Sequence, residues 1–280
     1  MIDFSYTAPD ISLTHHCNRA PVTLNFTMHT HTHAEVYYFL GGKVTYHIEG
    51  SEYTLVPGDI LLLRPGEAHC AQVSSQPDYE RICLHFDPKL LSSLDPEGSL
   101  IRPFFDRQPG KRNLYRTDND ACTQLLSSMT VPKAEPRLNI LGNLILLLKH
   151  ISDAFEAGHE GSRTPDTLEY RLISYINKNL EGELTLHELC DRFFVSRTQL
   201  CRLFKQATGT SVGNYISTKR MLLARELLLQ GQKPTEIYTI CGYRDYTAFF
   251  RAYTRQYGHS PREEQRCSYP IQPNTRIPIG

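Results

Sequence analysis

Two stretches of the chain repeat each other at an offset of 49 residues, and this repeat constrains the fold more than any other feature. In VSRTQLCRLFKQATGTS (195–211) and RDYTAFFRAYTRQYGHS (244–260), Ser196 falls on Asp245, Thr198 on Thr247 and Leu200 on Phe249. Arg202 falls on Arg251, Phe204 on Tyr253 and Gly209 on Gly258. Serine and aspartate make good helix N-caps, because a short side-chain oxygen accepts from an unpaired N–H of the first turn. Glycine suits the left-handed position that ends a helix. Each copy therefore reads as a capped helix of about three turns. Leu200, Leu203 and Phe204 share one face of the first, as Phe249, Ala252 and Tyr253 do in the second. Arg197, Thr198 and Arg202 lie opposite, as do Tyr246, Thr247 and Arg251.

A short helix precedes each copy. In LTLHELCDRF, Thr185 and Glu188 stand at capping-box spacing; in KPTEIYTIC, Pro234 suits a first helical turn. Helix, turn, and a second helix with polar residues at its start is the helix-turn-helix arrangement, whose second helix enters the major groove. One copy alone would read better as an ordinary helical hairpin core. Two copies with an arginine at the same exposed position favour duplex DNA. Residues 161–266 carry 16 Lys+Arg against 11 Asp+Glu, so the rest of the chain, with 14 against 19, is acidic. Nucleic acid is the usual partner of the basic part. Between the copies, SVGNYISTKRMLLARELLLQG reads as one helix of about 18 residues, or ~27 Å. Major-groove faces on one side of DNA recur every ~34 Å, so such a spacer suits two recognition helices in adjacent grooves.

These motifs, covering residues 166–266, resemble the C-terminal domain of AraC-type transcription factors. The resemblance implies base contacts from Thr198, Cys201, Arg202, Thr247 and Arg251, with Tyr246 on the same face. It implies phosphate contacts from Arg197, Gln199, Lys205 and Arg255, which position a protein without reading sequence. Two departures stand out: Tyr238 occupies a position that is usually small, and CGYRD replaces a GFSD-like turn.

Residues 20–87 have a different texture. Stretches such as KVTYHIE and EYTLV alternate between the turn signals LGGK, IEGSE, VPGD and RPGE, which suits short half-buried strands of a sandwich or barrel. HTHTHAEVYYFLGG opens this region, with His29, His31 and His33 at alternate positions; a strand would place all three on one face. His29, His31, Glu35 and Gly42, followed downstream by Gly58, Pro65, Gly66 and His69, resemble the paired motifs of cupins, small jelly-roll barrels. By this register His33 lies outside the motif. The barrel also resembles the sensor half of AraC-type regulators. The resemblance implies that His29, His31, Glu35 and His69 either hold a metal such as Mn, Fe, Ni or Zn, or hydrogen-bond a small ligand. Arg64 joins the ligand-binding set as a partner for a carboxylate or hydroxyl; Tyr37, His47 and Glu67 are further pocket groups, each equally able to face water. His47 and His85 are isolated strand histidines with little claim to be ligands.

From Asp118 the spacing turns helical. The apolar helix Leu138 to Ile151 resembles the segment that pairs sensor domains into dimers; a helix packed on its own barrel is the equal alternative. The expected fold is α+β: a cupin-like jelly-roll domain (1–117), a helical dimerisation or linker segment (118–157), a linker (158–166), an all-α double helix-turn-helix domain (167–268) and a flexible tail (269–280). No basic stretch followed by an apolar run opens the chain, and the longest apolar run, Leu144 to Leu148, is far short of the ~18 residues that span a membrane. Eight cysteines without a C-x-x-C pair suit a reducing cytoplasm. The expectation is a cytoplasmic, ligand-responsive regulator without a cofactor. Its partners are duplex DNA, a sugar-like effector, a second copy of itself and RNA polymerase, with no membrane. A metal-dependent cupin enzyme carrying a helical interaction module is the alternative.

Overall fold

The computed structural model describes residues 2–19, 24–25, 28–74, 78–116, 120–157 and 167–267. The linker expected over 158–166 and the tail expected over 269–280 lie outside these residues. The chain divides into two compact units, the boundary falling at Arg171/Leu172.

The first unit holds two sheets. β1 (Ile2–Ala8), β2 (Ile11–Asn18), β9 (Tyr79–Phe86), β4 (Ala34–Gly41), β7 (Asp59–Leu63) and β10 (Leu114–Arg116) form one, in that order. β3 (Leu24–Asn25), β8 (His69–Val73), β5 (Val44–Ile48) and β6 (Ser51–Thr54) form the other. The β1–β2 hairpin, which adds two strands before residue 20, extends the sheet beyond the expected 20–87.

Strand alternation gives the larger sheet two buried faces. Ala34, Val36 and Tyr38 of β4, Ile60 and Leu62 of β7, and Ile82, Leu84 and Phe86 of β9 point to one core. Tyr37, Phe39, Leu61, Leu63 and Tyr79 point to the other, where they meet Val44, Tyr46, Ile48, Ala71 and Val73 of the smaller sheet. All five residues of β7 are buried, as an unbroken DILLL run requires of a strand covered on both sides.

Helices cover the outer core: α1 (Arg102–Phe105), α2 (Asp120–Met129) and α3 (Pro136–Glu156). α3 buries Ile140, Leu144, Leu147, Leu148, Ile151 and Phe155 against the sheet, a stripe at the spacing of one helical face. The stripe thus packs on its own barrel, while Leu138 and Leu146 stay exposed on the other side. α3 is long and apolar enough to cross a bilayer, but its apolar stripe is the core-facing one.

One buried ion pair ties residues 102–113 to the barrel. Arg107 Nη1 and Nη2 donate to Glu67 Oε1 and Oε2, each at 2.7 Å, and neither side chain has any exposure. Gly110 N–H (2.7 Å), Asn113 Nδ2 (3.0 Å) and Arg64 N–H (3.1 Å) also donate to this carboxylate. Gly110 needs its φ of +69°: a Cβ there would meet Ile48 O at 2.6 Å and Glu49 Cβ at 2.8 Å. Burial alone would raise the Glu67 carboxyl, but the Arg107 charge and hydrogen bonds hold it down at about 2. Glu67, expected as a pocket group, is instead consumed by this latch.

The second unit is helical: α4 (Leu168–Lys178), α5 (Leu186–Phe193), α6 (Arg197–Thr208), α7 (Val212–Leu229), α8 (Pro234–Ile240), α9 (Tyr246–Tyr257) and α10 (Pro261–Cys267). α7 is the 18-residue central helix. The capping pattern is the one read from the repeat. Ser196 Oγ accepts from Gln199 N–H at 3.2 Å, Asp245 Oδ1 from Ala248 N–H at 2.8 Å, and Gly258 takes the left-handed cap at φ +77°. Met221, Ala224 and Leu228 of α7 pack with Ile237 of α8 and Phe249 and Tyr253 of α9. Buried Glu264 secures α10, accepting from Tyr253 Oη at 3.0 Å and Arg225 Nε at 3.0 Å.

The latch sets an acid limit for the first unit. Glu67 has its pKa depressed by folding from 4.5 to about 2, so its contribution is present above 4.5 and is lost as pH falls toward 2. At ~1.4 kcal/mol per unit this is about 3 kcal/mol. Glu67→Gln should lower unfolding free energy by about 3–5 kcal/mol at pH 7, because it strands a buried guanidinium. Denaturant unfolding at pH 7 and pH 3 checks both: the gap between native and variant should narrow at pH 3.

Candidate functional site

Strand order explains how four polar side chains reach one point inside the first unit. Glu35 follows Ala34 at the start of β4 and is the inward-facing member of that pair, 3% exposed. β9 runs antiparallel to β4 with His85 directly opposite Glu35, so both face inward. His69 opens β8 in the other sheet and is fully buried. His31 sits in the loop before β4.

The Glu35 carboxylate is the hub. Its Oε2 lies 2.8 Å from His31 Nε2, 3.4 Å from His69 Nε2 and 3.5 Å from His85 Nε2. Burial alone would raise this carboxyl. Hydrogen bonds from His31 and His85, and the His85 charge, instead hold it well below the usual carboxylate range. Burial would lower His85, and the Glu35 hydrogen bond and charge overcome this to raise it.

Two backbone carbonyls orient two of the rings. His31 Nδ1 lies 2.8 Å from His33 O, and His69 Nδ1 lies 2.8 Å from Glu67 O. A carbonyl only accepts, so each Nδ1 carries the hydrogen. Each Nε2 is then the nitrogen aimed at Glu35. His69 Nε2 is buried with no hydrogen-bond donor. Burial lowers the His69 ring to about 4, so its Nε2 carries a lone pair at neutral pH.

The expected site residues divide. His31, Glu35 and His69 come together, with ligand atoms within 4.8 Å of one another. His29 is exposed; its backbone exchanges 3.0 Å hydrogen bonds with His69, and its ring stands edge-on 4.4 Å from that of His69. Residues 30–33 are not a strand, so the expected common face of His29, His31 and His33 does not exist, and His33 contributes its carbonyl. Arg64 turns to the Arg107 carbonyl at 3.4 Å. Tyr37 lies inside the barrel, its hydroxyl 2.8 Å from that of Tyr79. His47 sits on β5 outside the cluster. His85, read as an isolated strand histidine, belongs in it. The signal was available in YERICLHF: once Ile82, Leu84 and Phe86 take one face, His85 must take the other.

On the second unit, Arg197, Thr198, Gln199, Cys201, Arg202 and Lys205 of α6 are all exposed, as are Thr247, Arg251 and Arg255 of α9. Tyr246 is half-buried instead, packing on Tyr238 and Phe249; the unusual Tyr238 fills this contact. Phe250 is 38% exposed on α9 and occupies the repeat position of Cys201, which the offset of 49 places there. Phe194, in the turn before α6, is 94% exposed at φ +54°.

Residues 19–160 match the family described as AraC-like ligand binding domain, and residues 189–266 match a helix-turn-helix domain family. The chain is 25% identical to LumQ of Photobacterium leiognathi over 244 residues, covering 85% of this chain and 92% of that protein. It is 22% identical to the HTH-type transcriptional activator RhaS of Escherichia fergusonii over 241 residues, covering 85% and 87%. Among solved structures, ToxT of Vibrio cholerae aligns over 94% of this chain and 100% of that one, with a TM-score of 0.40 and 12% identity.

The tautomer of His69 is directly observable. Nitrogen-15 NMR of histidine-labelled protein at pH 7 should give this ring a protonated Nδ1 and an unprotonated Nε2, unchanged until pH approaches about 4. A ring that titrates in the usual histidine range contradicts the geometry.

Proposed function

The chain belongs to the AraC-type family of regulators, and we infer that it reads duplex DNA through the exposed faces of α6 and α9 in response to a small molecule held by its barrel. The observation that carries this reading is the paired helix. Two capped helices of equal length, on either side of one 18-residue spacer, each present an arginine at the same exposed position, Arg202 and Arg251. An arginine so placed can donate two hydrogen bonds to guanine O6 and N7. Relatives such as RhaS are named as transcriptional activators, and both matched domains belong to regulators, so the enzymatic alternative is set aside.

In this reading Thr198, Cys201, Arg202, Thr247 and Arg251 contact bases, while Arg197, Gln199, Lys205 and Arg255 contact phosphates. Tyr246 supports α9 more than it reads DNA, since its ring is spent on packing. The domain limits proposed are 1–117 for the sensor, 118–157 for the helical segment and 167–268 for the DNA-binding domain. Inside the sensor, His31, Glu35, His69 and His85 are polar groups converging in an apolar core, the pattern of a small-ligand site. A sugar or related hydroxylated metabolite suits them.

A second copy of the chain and RNA polymerase complete the partners. The exposed outer side of α3, where Leu146 lies beside Leu125 of α2 and Leu138 is also exposed, supports the dimer. RNA polymerase follows from the activator role named for RhaS. A cytoplasmic location suits these functions.

Two variants separate reading from positioning. Arg202→Ala should cost ~1–3 kcal/mol in DNA binding and relax discrimination at one base pair. Lys205→Ala should weaken binding to all sequences alike and reduce the slope of log affinity against log salt by about 1. Selection of bound sequences from a random duplex pool, followed by salt titration on the winner, measures both. No enriched sequence, or an Arg202→Ala chain with unchanged affinity and preference, rejects the assignment.

A further inference from the structure

We propose that Phe250 is a specificity-determining residue whose ring seats on the 5-methyl group of a thymine in the major groove. It thereby selects a T·A pair, in one orientation, close to the pair that Arg251 reads. This rests on the reading of α9 as a DNA-recognition helix and names the apolar part of its sequence preference. The base contacts implied by the resemblance omit this position.

Three observations carry the inference. The first is the place of Phe250 in the repeat. The offset of 49 residues sets Phe250 on Cys201, as it sets Thr247 on Thr198 and Arg251 on Arg202. Positions i, i+3 and i+4 share one face of a helix, so Thr247, Phe250 and Arg251 form one outward patch, and all three are exposed.

The second is that the fold does not use this ring as core. α9 buries Phe249, Ala252 and Tyr253 against α7 and α8, while Phe250 stays 38% exposed. A single exposed apolar side chain is ordinary on a protein surface. A phenyl ring within a patch that meets base edges is not. The Tyr246 ring stands beside it, centroids 6.2 Å apart, and Tyr246 is itself backed by Tyr238 and Phe249. This row of rings braces Phe250, so less side-chain freedom is lost when it makes a contact.

The third is chemistry. A phenyl ring has neither donor nor acceptor. In the major groove guanine, cytosine and adenine present hydrogen-bonding groups, and thymine adds a methyl group. Covering the polar edge of another base with the ring would strand those groups, whereas the methyl is a matched apolar surface. The exposed Arg251 and Arg255 follow Phe250 on the same helix and suit guanine and phosphate. Consecutive Cα atoms stand ~3.8 Å apart and base pairs ~3.4 Å apart, so the thymine falls within about two base pairs of the Arg251 contact. Cys201 offers only a short thiol at the matching place in the first repeat. The two halves of the DNA site are therefore read by different chemistry, and the site has a direction.

The test uses the full chain and the duplex that it selects from a random pool. Each thymine of that duplex is replaced in turn by deoxyuridine, which removes the 5-methyl group alone, and affinity is read by fluorescence anisotropy. One replacement should weaken the native chain about fourfold, as the loss of one buried methyl group does. The same replacement should change the affinity of Phe250→Ala by less than about 1.5-fold, the two losses being coupled. Phe250→Leu keeps an apolar side chain and should still show a response of at least about twofold. With that pair changed to C·G, 5-methylcytosine should bind the native chain about fourfold more tightly than cytosine. A thermal melt of each variant verifies the fold. If Phe250→Ala weakens all duplexes alike and keeps every uracil response, the ring only supports α9 and the proposal is overturned. A native chain indifferent to every uracil overturns it too. Either result, obtained on a selected sequence, leaves the reading of DNA by this chain intact and refutes the thymine contact alone. No selected sequence refutes both.

Discussion

Arg107 meets Glu67 through a pair of 2.7 Å hydrogen bonds in a place that water does not reach. Taking both charges out of water is costly, and such pairs add little net stability over an apolar replacement. What they add here is position. Glu67 lies in the RPGEAH turn, two residues before His69, and its backbone carbonyl accepts the His69 Nδ1 hydrogen. Its carboxylate also takes Gly110 and Asn113, and Asn113 in turn donates to Leu62 O in β7. One buried charge thus fixes the turn, the segment that crosses behind it and the ring that points at Glu35. The polar site inside the barrel depends on a pair that never faces it.

What could be read from the sequence was what is encoded locally. The caps at Ser196 and Asp245, the glycine stop at Gly258 and the 18-residue spacer depend on neighbours within a turn or two, and the structure matches them. The paired motifs around His31, Glu35 and His69 were legible for the same reason, because the spacing is short and the turns between are marked by glycine and proline. His85 was not. Its partner is Glu35, 50 residues earlier, and only the β4–β9 register brings them opposite. Glu67 misled in the same way: an acidic residue beside a histidine in a motif looks like a pocket group until an arginine 40 residues later is found on it. The alternation of His29, His31 and His33 suggested a strand, but hydrogen bonding leaves 30–33 as a loop, so strand periodicity does not apply there.

The helical unit shows a different division of labour between its repeats. Both recognition helices bury an aromatic ring at the same place, Phe204 in α6 and Tyr253 in α9. Only the second reuses that position for a polar bond, from the Tyr253 hydroxyl to Glu264. Glu264 also lies 3.1 Å from His259 Nε2, so the end of α9, the start of α10 and Arg225 of α7 share one buried carboxylate. The first repeat lacks that carboxylate; Phe204 instead meets Tyr215 edge to face at 5.3 Å. The two copies hold Thr198 and Thr247, and Arg202 and Arg251, outward in register, while they solve the inward problem with different chemistry.

β4 is buried on both sides, and that has a mechanical meaning. Glu35 looks into the barrel, and Val36, the next residue, looks into the core shared with α3. A strand with one wet face could flex toward water when its inner face took up a ligand. This one has no wet face in its first half. Whatever Glu35 does along the normal of the sheet, Val36 must do against the core it shares with α3, one peptide plane away. The polar site and the helix layer thus share this one strand as their common wall.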